Sequence, residues 1–95
     1  MAEVTLEGWL VCQGLDESRL VETLLPDHVT LTRAEPGCLV FEVERTDDPL
    51  VFAVAERFAD AAGFRAHQRR VAGSEWGRAT SHIERRYAVS GLDPE

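Results

Sequence analysis

The chain contains no lysine, no asparagine and only one isoleucine. All ten basic residues are therefore arginines, set against 17 acidic residues for a net charge of −7. No lysine-rich stripe can track a phosphate backbone, which argues against nucleic acid as a partner. The missing residues have A-rich codons, which points to a GC-rich genome. Cysteine is scarce as well. Cys12 and Cys38 stand far apart, without a CxxC or a Cys/His cluster, so no metal site is expected. They read as free thiols of a reducing compartment. No apolar run approaches the ~18 residues of a membrane span. The opening "MAEVTLEGWL" carries no basic segment ahead of a long apolar core, so no secretory signal is expected. These absences lead to the expectation of a cytoplasmic protein with no nucleic-acid or membrane partner.

What is present is a regular alternation of periods. Ninety-five residues suffice for one small domain, expected over residues 1–95 with a core of about 4–89 and a tail at 90–95. Residues 4–12, "VTLEGWLVC", alternate as a strand, with Val4, Leu6, Leu10 and Cys12 on one face and Trp9 and Val11 on the other. "GLDESRLVETLL" switches to a helical period on Leu20, Val21, Leu24 and Leu25, with Asp16 as its expected N-cap. Pro26 is expected to kink or restart this helix, because proline removes a backbone donor. Val29 and Leu31 carry it on to "RAEPG", a strong stop. "CLVFEVER" alternates again on Leu39, Phe41 and Val43; after the polar "RTDDP", "LVFAVAERF" puts Phe52, Val54, Glu56 and Phe58 on one face. These two runs read as a β-hairpin. Asp60 caps a helix through about Val71, Ser74 caps a short one, and "HIERRYAV" is the last strand.

The order β-α-β-β-α-β predicts an α+β domain of ferredoxin-like form, a four-stranded antiparallel sheet with its helices on one face. The other face then carries Trp9 and Val11, and a bare apolar face calls for a partner. This fold serves many functions. A nucleic-acid module would need basic, aromatic strands, and "VFAVAERF" has none. A metal carrier would need the missing CxxC. An anion cradle after the first strand is opposed by the acids of "CQGLDES".

The stretches "HVTLTRAEPGCLVFEV" (28–43), "ERF" with "DAAGFRAHQ" (56–68) and "SEWGRA" (74–79) resemble the antibiotic biosynthesis monooxygenase family, which includes quinol monooxygenase-like proteins. The similarity runs from about Val4 to Val89. It implies a dimeric α/β barrel, a homodimer through the sheet face, a cavity between sheet and helices, and oxygenation without metal or flavin. No cofactor is therefore expected. Two departures stand out. Many relatives carry a second histidine shortly after the one matching His67, where this chain reads "QRRVAGSEW". Haem-degrading relatives use an Asn-Trp-His set, and a chain without asparagine cannot supply it.

Oxygenation without a cofactor demands an electron-rich phenol or hydroquinone whose anion can pass an electron to O₂. The protein must bind the ring, take a proton, stabilise the oxyanion and exclude water. His67 is the candidate base, since Phe64, His67 and Val71 share one helical face; the competing reading is a core imidazole bonded to backbone. Trp76 is a candidate catalytic wall and N–H donor, or else a plug at the helix end. Glu56 lies on an apolar strand face and is either a pocket acid or half of a structural pair. Phe41, Phe52 and Phe64 are core residues that double as substrate-binding walls, as does Phe58. His82 is a second candidate polar group, or a surface histidine. His28 reads as helix surface or packing. Arg69 and Arg70 read as a solvated face, and Arg85 and Arg86 fall on opposite faces of their strand. The leading function is a monooxygenase acting with O₂ on a small hydroquinone-like or polycyclic phenolic substrate. The alternative is a non-catalytic dimeric barrel that binds a small aromatic ligand.

Overall fold

Alternation in "VTLEGWLV" forms strand β1 (Val4–Val11), which buries Val4, Leu6 and Leu10 on one face. In the computed structural model, which describes residues 2–92, β1 lies inside a four-stranded sheet. Residues 93–95 of the expected tail lie outside the described residues. Helix α1 (Leu15–Arg33) follows, then β2 (Cys38–Arg45), β3 (Val51–Phe58), α2 (Ala61–Ala72), α3 (Glu75–Ala79) and β4 (Glu84–Ser90). The sheet order is β2-β3-β1-β4 with every pairing antiparallel, the ferredoxin-like arrangement that the order of periods predicts.

Helix α1 departs from expectation at both its start and its middle. It begins one residue before Asp16, with Gly14 as N-cap and no side-chain cap. The Glu17 carboxylate instead accepts a hydrogen bond from the Gln13 N–H at 2.8 Å, so Asp16 serves as a first-turn acid rather than a cap. Pro26 sits within one continuous helix rather than at a restart. Its buried positions are Ser18, Val21, His28 and Thr32, three of them polar, while Leu31 faces solvent. The leucines at 24 and 25 are only partly covered. The helix therefore turns a polar stripe toward the sheet along part of its length.

The other two helices follow their caps. The Asp60 carboxylate accepts from Gly63 N–H at 2.8 Å, and the Ser74 hydroxyl accepts from Gly77 N–H at 3.0 Å. A β-carbon on Gly77 would come 1.9 Å from the Val71 carbonyl oxygen. The bare glycine thus lets α3 fold tightly onto the end of α2 and sets Trp76 inward.

The β2–β3 hairpin forms as read, with one shift. Cys38 pairs with Phe58 but Val40 pairs with Arg57, so an extra residue bulges at Leu39. Leu39 is exposed, out of phase with the buried Phe41. In β3, Phe52, Val54, Glu56 and Phe58 all point into the core. Strand β4 begins at Glu84, two residues later than the periodicity suggests. Cys12 is buried, Cys38 is half-buried, and both are free.

Candidate active site

The chemistry-bearing side chains meet where the C-terminal end of α1 and the middle of α2 cross the β2–β3 side of the sheet. The turn "EPGC" after α1 closes through a Cys38 N–H to Glu35 carbonyl bond of 3.1 Å. Gly37 and Gly63 lie so close that a β-carbon on Gly37 would stand 3.1 Å from the Gly63 α-carbon. This contact brings the turn against α2. Glu35 then reaches His67, 32 residues away, and lies 3.0 Å from its Nδ1. Arg70, one turn further along α2, donates to the second Glu35 oxygen and to the Thr32 hydroxyl at 2.9 Å. Arg70 is therefore a buttress of the core and not part of a solvated face. Arg33 donates to the Phe41 carbonyl at 3.1 and 2.8 Å and ties the helix end to β2.

His67 is 3% exposed. A carboxylate at Nδ1 favours the tautomer with its proton there, which leaves Nε2 as a lone-pair acceptor. Nε2 faces Glu56 Oε1 across 3.9 Å, too far for a hydrogen bond. That oxygen has no hydrogen-bond partner among the described residues, although Glu56 is only 8% exposed. Burial, and then the Glu35 carboxylate, push the Glu56 carboxyl up to about 7, with Arg85 pulling the other way. Burial pushes His67 down, and Glu35 opposes that shift.

Rings enclose this pair. The centroids of Phe58 and Phe41 lie 4.9 and 5.8 Å from that of His67. His28 stacks on Trp76 at 4.6 Å with the planes 7° apart, meets Phe41 edge-on at 5.3 Å, and lies 6.1 Å from His67. Its Nδ1 is buried without a hydrogen-bond partner among the described residues. Burial, followed by His67, Arg70 and Arg85, lowers its pKa to about 3, so the ring is neutral. On the outer side of the His28–Trp76 stack is a cleft of about 110 Å³ that also touches Leu24, Asp27 and Arg70.

Three of the sequence candidates for catalysis, His67, Glu56 and Trp76, thus fall in one neighbourhood with Phe41. Phe64 stands behind, edge-on to Phe58 at 5.8 Å. Phe52 lies at the far end of β3, beneath the Arg45 guanidinium at 4.8 Å, and walls a separate pocket of about 340 Å³. His82 is brought to the surface instead, where its Nε2 lies 3.3 Å from Glu17. The arginines of β4 do divide by face. Arg85 turns inward and donates to the Thr80 and Ile83 carbonyls, while Arg86 turns outward to Glu84. Tyr87 lies beside Arg85 on the inner face, its hydroxyl pushed up to about 12 by burial. Glu35 and Arg70 carry no periodic signal that marks them for the site. Only the folded turn unites them with His67.

A family model described as antibiotic biosynthesis monooxygenase matches residues 16–78. Among curated proteins no match is found. Among solved structures, a candidate antibiotic biosynthesis monooxygenase from Nitrosomonas europaea is similar at a TM-score of 0.75 and 21% identity, covering 97% of this chain and 91% of that one. Rv0793 from Mycobacterium tuberculosis is similar at 0.70 and 24% identity, over 99% and 96%. PA3566 from Pseudomonas aeruginosa is similar at 0.71 and 21%, over 94% and 90%. At such identities the solved structures speak for the shared fold. The family model spans well over half of the sequence, and on that ground the chain belongs to the antibiotic biosynthesis monooxygenase family.

Proposed function

We propose that this protein is a cofactor-independent monooxygenase that oxidises an electron-rich phenol or hydroquinone-like aromatic with O₂, and that it works as a homodimer. The observation that carries this reading is His67, a buried imidazole whose Nδ1 side is held by Glu35 and whose Nε2 is free to accept a proton. In this reading Nε2 takes the phenolic proton, and the Glu35 carboxylate stabilises the imidazolium that forms. Arg70 keeps Glu35 in place. The phenolate passes one electron to O₂, and the resulting radicals combine at an unsubstituted ring carbon. Breaking the O–O bond leaves one oxygen on that carbon as a carbonyl. The other departs as water with the phenolic and ring hydrogens, so the substrate supplies every electron.

The dimer reading rests on the outer sheet face. Trp9 is 48% exposed there, beside a shallow hollow floored by Ala53, Ala55 and Ala88. Such a face favours a second copy that would shield it.

A second reading, a binding module for a small aromatic ligand without chemistry, is favoured by one observation. The cleft stops at the His28–Trp76 stack, and neither His67 nor Glu56 forms part of its wall.

Oxygen uptake separates the two. Metal-stripped protein is tested with hydroquinones and polycyclic phenols, and autoxidation without protein is subtracted. The monooxygenase reading expects uptake that survives stripping and falls by about 10²–10⁴ in His67→Ala, the usual worth of a positioned base. Saturable ligand binding with no uptake would establish the binding module.

A further inference from the structure

We propose that His67 Nε2 and Glu56 Oε1 together seat a single hydroxyl oxygen, so that the site selects a free phenol over its ether. This rests on reading the buried cluster as the ligand site. The geometry is specific. An oxygen about 2.8 Å from each of two atoms 3.9 Å apart sees them at an angle of roughly 90°, suited to one outgoing and one incoming hydrogen bond. Nε2 can only accept, because Glu35 holds the proton on the opposite nitrogen. Glu56 must then donate, which requires its protonated form, and its surroundings favour that form below about 7. A hydroxyl satisfies both partners at once. An ether oxygen has no proton for Nε2, and a carbonyl has none either. Rejecting a ligand that leaves a buried polar group unpaired is a strong source of selectivity.

The ring has a place as well. His28 fills an aromatic slot between the face of Trp76 and the edge of Phe41. Its centre lies 6.1 Å from that of His67. One C–O bond, one hydrogen bond and two ring radii span about that distance when not quite collinear. The imidazole therefore marks where a ligand ring would sit. It is neutral, its Nδ1 makes no hydrogen bond among the described residues, and it borders the cleft, so its movement toward solvent, at the expense of its stack on Trp76, would open the slot to a ligand ring.

The seat should depend on pH through Glu56. The groups facing it are His67 on α2, Glu35 in the turn after α1, Cys38 on β2, and Arg85 and Tyr87 on β4, with His28 and Arg70 around His67.

The test is anaerobic binding of 4-fluorophenol and 4-fluoroanisole to the full chain, followed by ¹⁹F NMR and by the ¹⁵N shift of His67 Nε2. Fluorophenol is expected to bind saturably, at least tenfold tighter than fluoroanisole, and to move the Nε2 signal. His28→Ala should strengthen its binding. Glu56→Leu should reduce fluorophenol to the level of the ether, whereas Glu56→Gln, which keeps an N–H donor, should retain the preference. Between pH 6 and 9 the preference should fade in the wild type but not in Glu56→Gln. Equal affinity for the two probes overturns the proposal, as does an unaffected Glu56→Leu, or no saturable fluorophenol binding by either the wild type or His28→Ala. Because no oxygen is present, loss of the monooxygenase reading leaves this result standing. Conversely, oxygen uptake without phenol selectivity would remove only the seat.

Discussion

His67 and Glu56 are both buried ionisable residues, but their neighbours give them different work. The imidazole is held by a carboxylate that is itself held by Arg70. Replacing Glu35 with Gln keeps the shape but removes the charge that stabilises an imidazolium. Steady-state kinetics on a reactive phenol should then show kcat falling by about 10-fold or more with little change in KM, and a shifted acid limb in the pH profile. Two of the residues with large shifts, Glu56 and His28, bear on stability in opposite directions. The unfolded Glu56 carboxyl ionises near 4.5 while the folded one holds its proton to about 7. Its contribution is thus full below 4.5 and is lost as pH rises through 7. Unfolded His28 takes up a proton near 6.5 while the folded ring resists to about 3. Its contribution is full above 6.5 and is lost as pH falls toward 3. Each slope is about 1.4 kcal/mol per pH unit, and between 4.5 and 6.5 they oppose one another. Urea midpoints should therefore be nearly level across that interval and fall on both sides. Glu56→Gln should flatten the alkaline side, and His28→Gln should soften the acid side, where His67 also contributes.

Among the elements, α1 carries the main unfavourable feature. Pro26 leaves one carbonyl of the preceding turn without its helical donor, yet the packed helix continues through it. Because Pro26 is exposed, Pro26→Ala should stabilise the fold by about 1–3 kcal/mol, less if the unfolded chain gains freedom. That would raise Tm by several degrees in thermal unfolding followed by circular dichroism. Asp60→Ala should do the reverse, costing about 1 kcal/mol by removing the bond to Gly63. The caps of α2 and α3 are legible in sequence because a cap is a local event within four residues. The start of α1 is not, because Glu17 reaches back to Gln13 and leaves Asp16, the better-looking cap, in the first turn. The inner face of α1 is equally hidden. Ser18, His28 and Thr32 lie on it, and a search for apolar period passes over polar residues whose partners come from distant parts of the chain.

The whole molecule has a helix-covered face and an open one. The open face combines exposed Trp9 with the small residues Ala53, Ala55 and Ala88. In the proposed homodimer this surface is closed. Size-exclusion chromatography with light scattering should then report twice the chain mass, and Trp9→Glu should shift it to the monomer while leaving the far-ultraviolet circular dichroism unchanged. A monomeric wild-type protein would remove the dimer from the functional reading.

The alternation of apolar residues, the Pro-Gly stop and the two side-chain caps determined the element order, and with it the ferredoxin-like sheet. Those signals act over a few residues, so the sequence alone carries them. It also marked His67 and Glu56 as polar groups on apolar faces. Only the tertiary structure decided what surrounds them. The close approach of Gly37 to Gly63 brings Glu35 and Arg70 to His67. The fold of α3 onto α2 puts Trp76 against His28, while His82 goes to the surface with Glu17. The gap between His67 and Glu56 spans two elements joined by no local pattern. The physical reason is that period and capping are short-range, whereas a partner for a buried charge is chosen by packing between segments tens of residues apart.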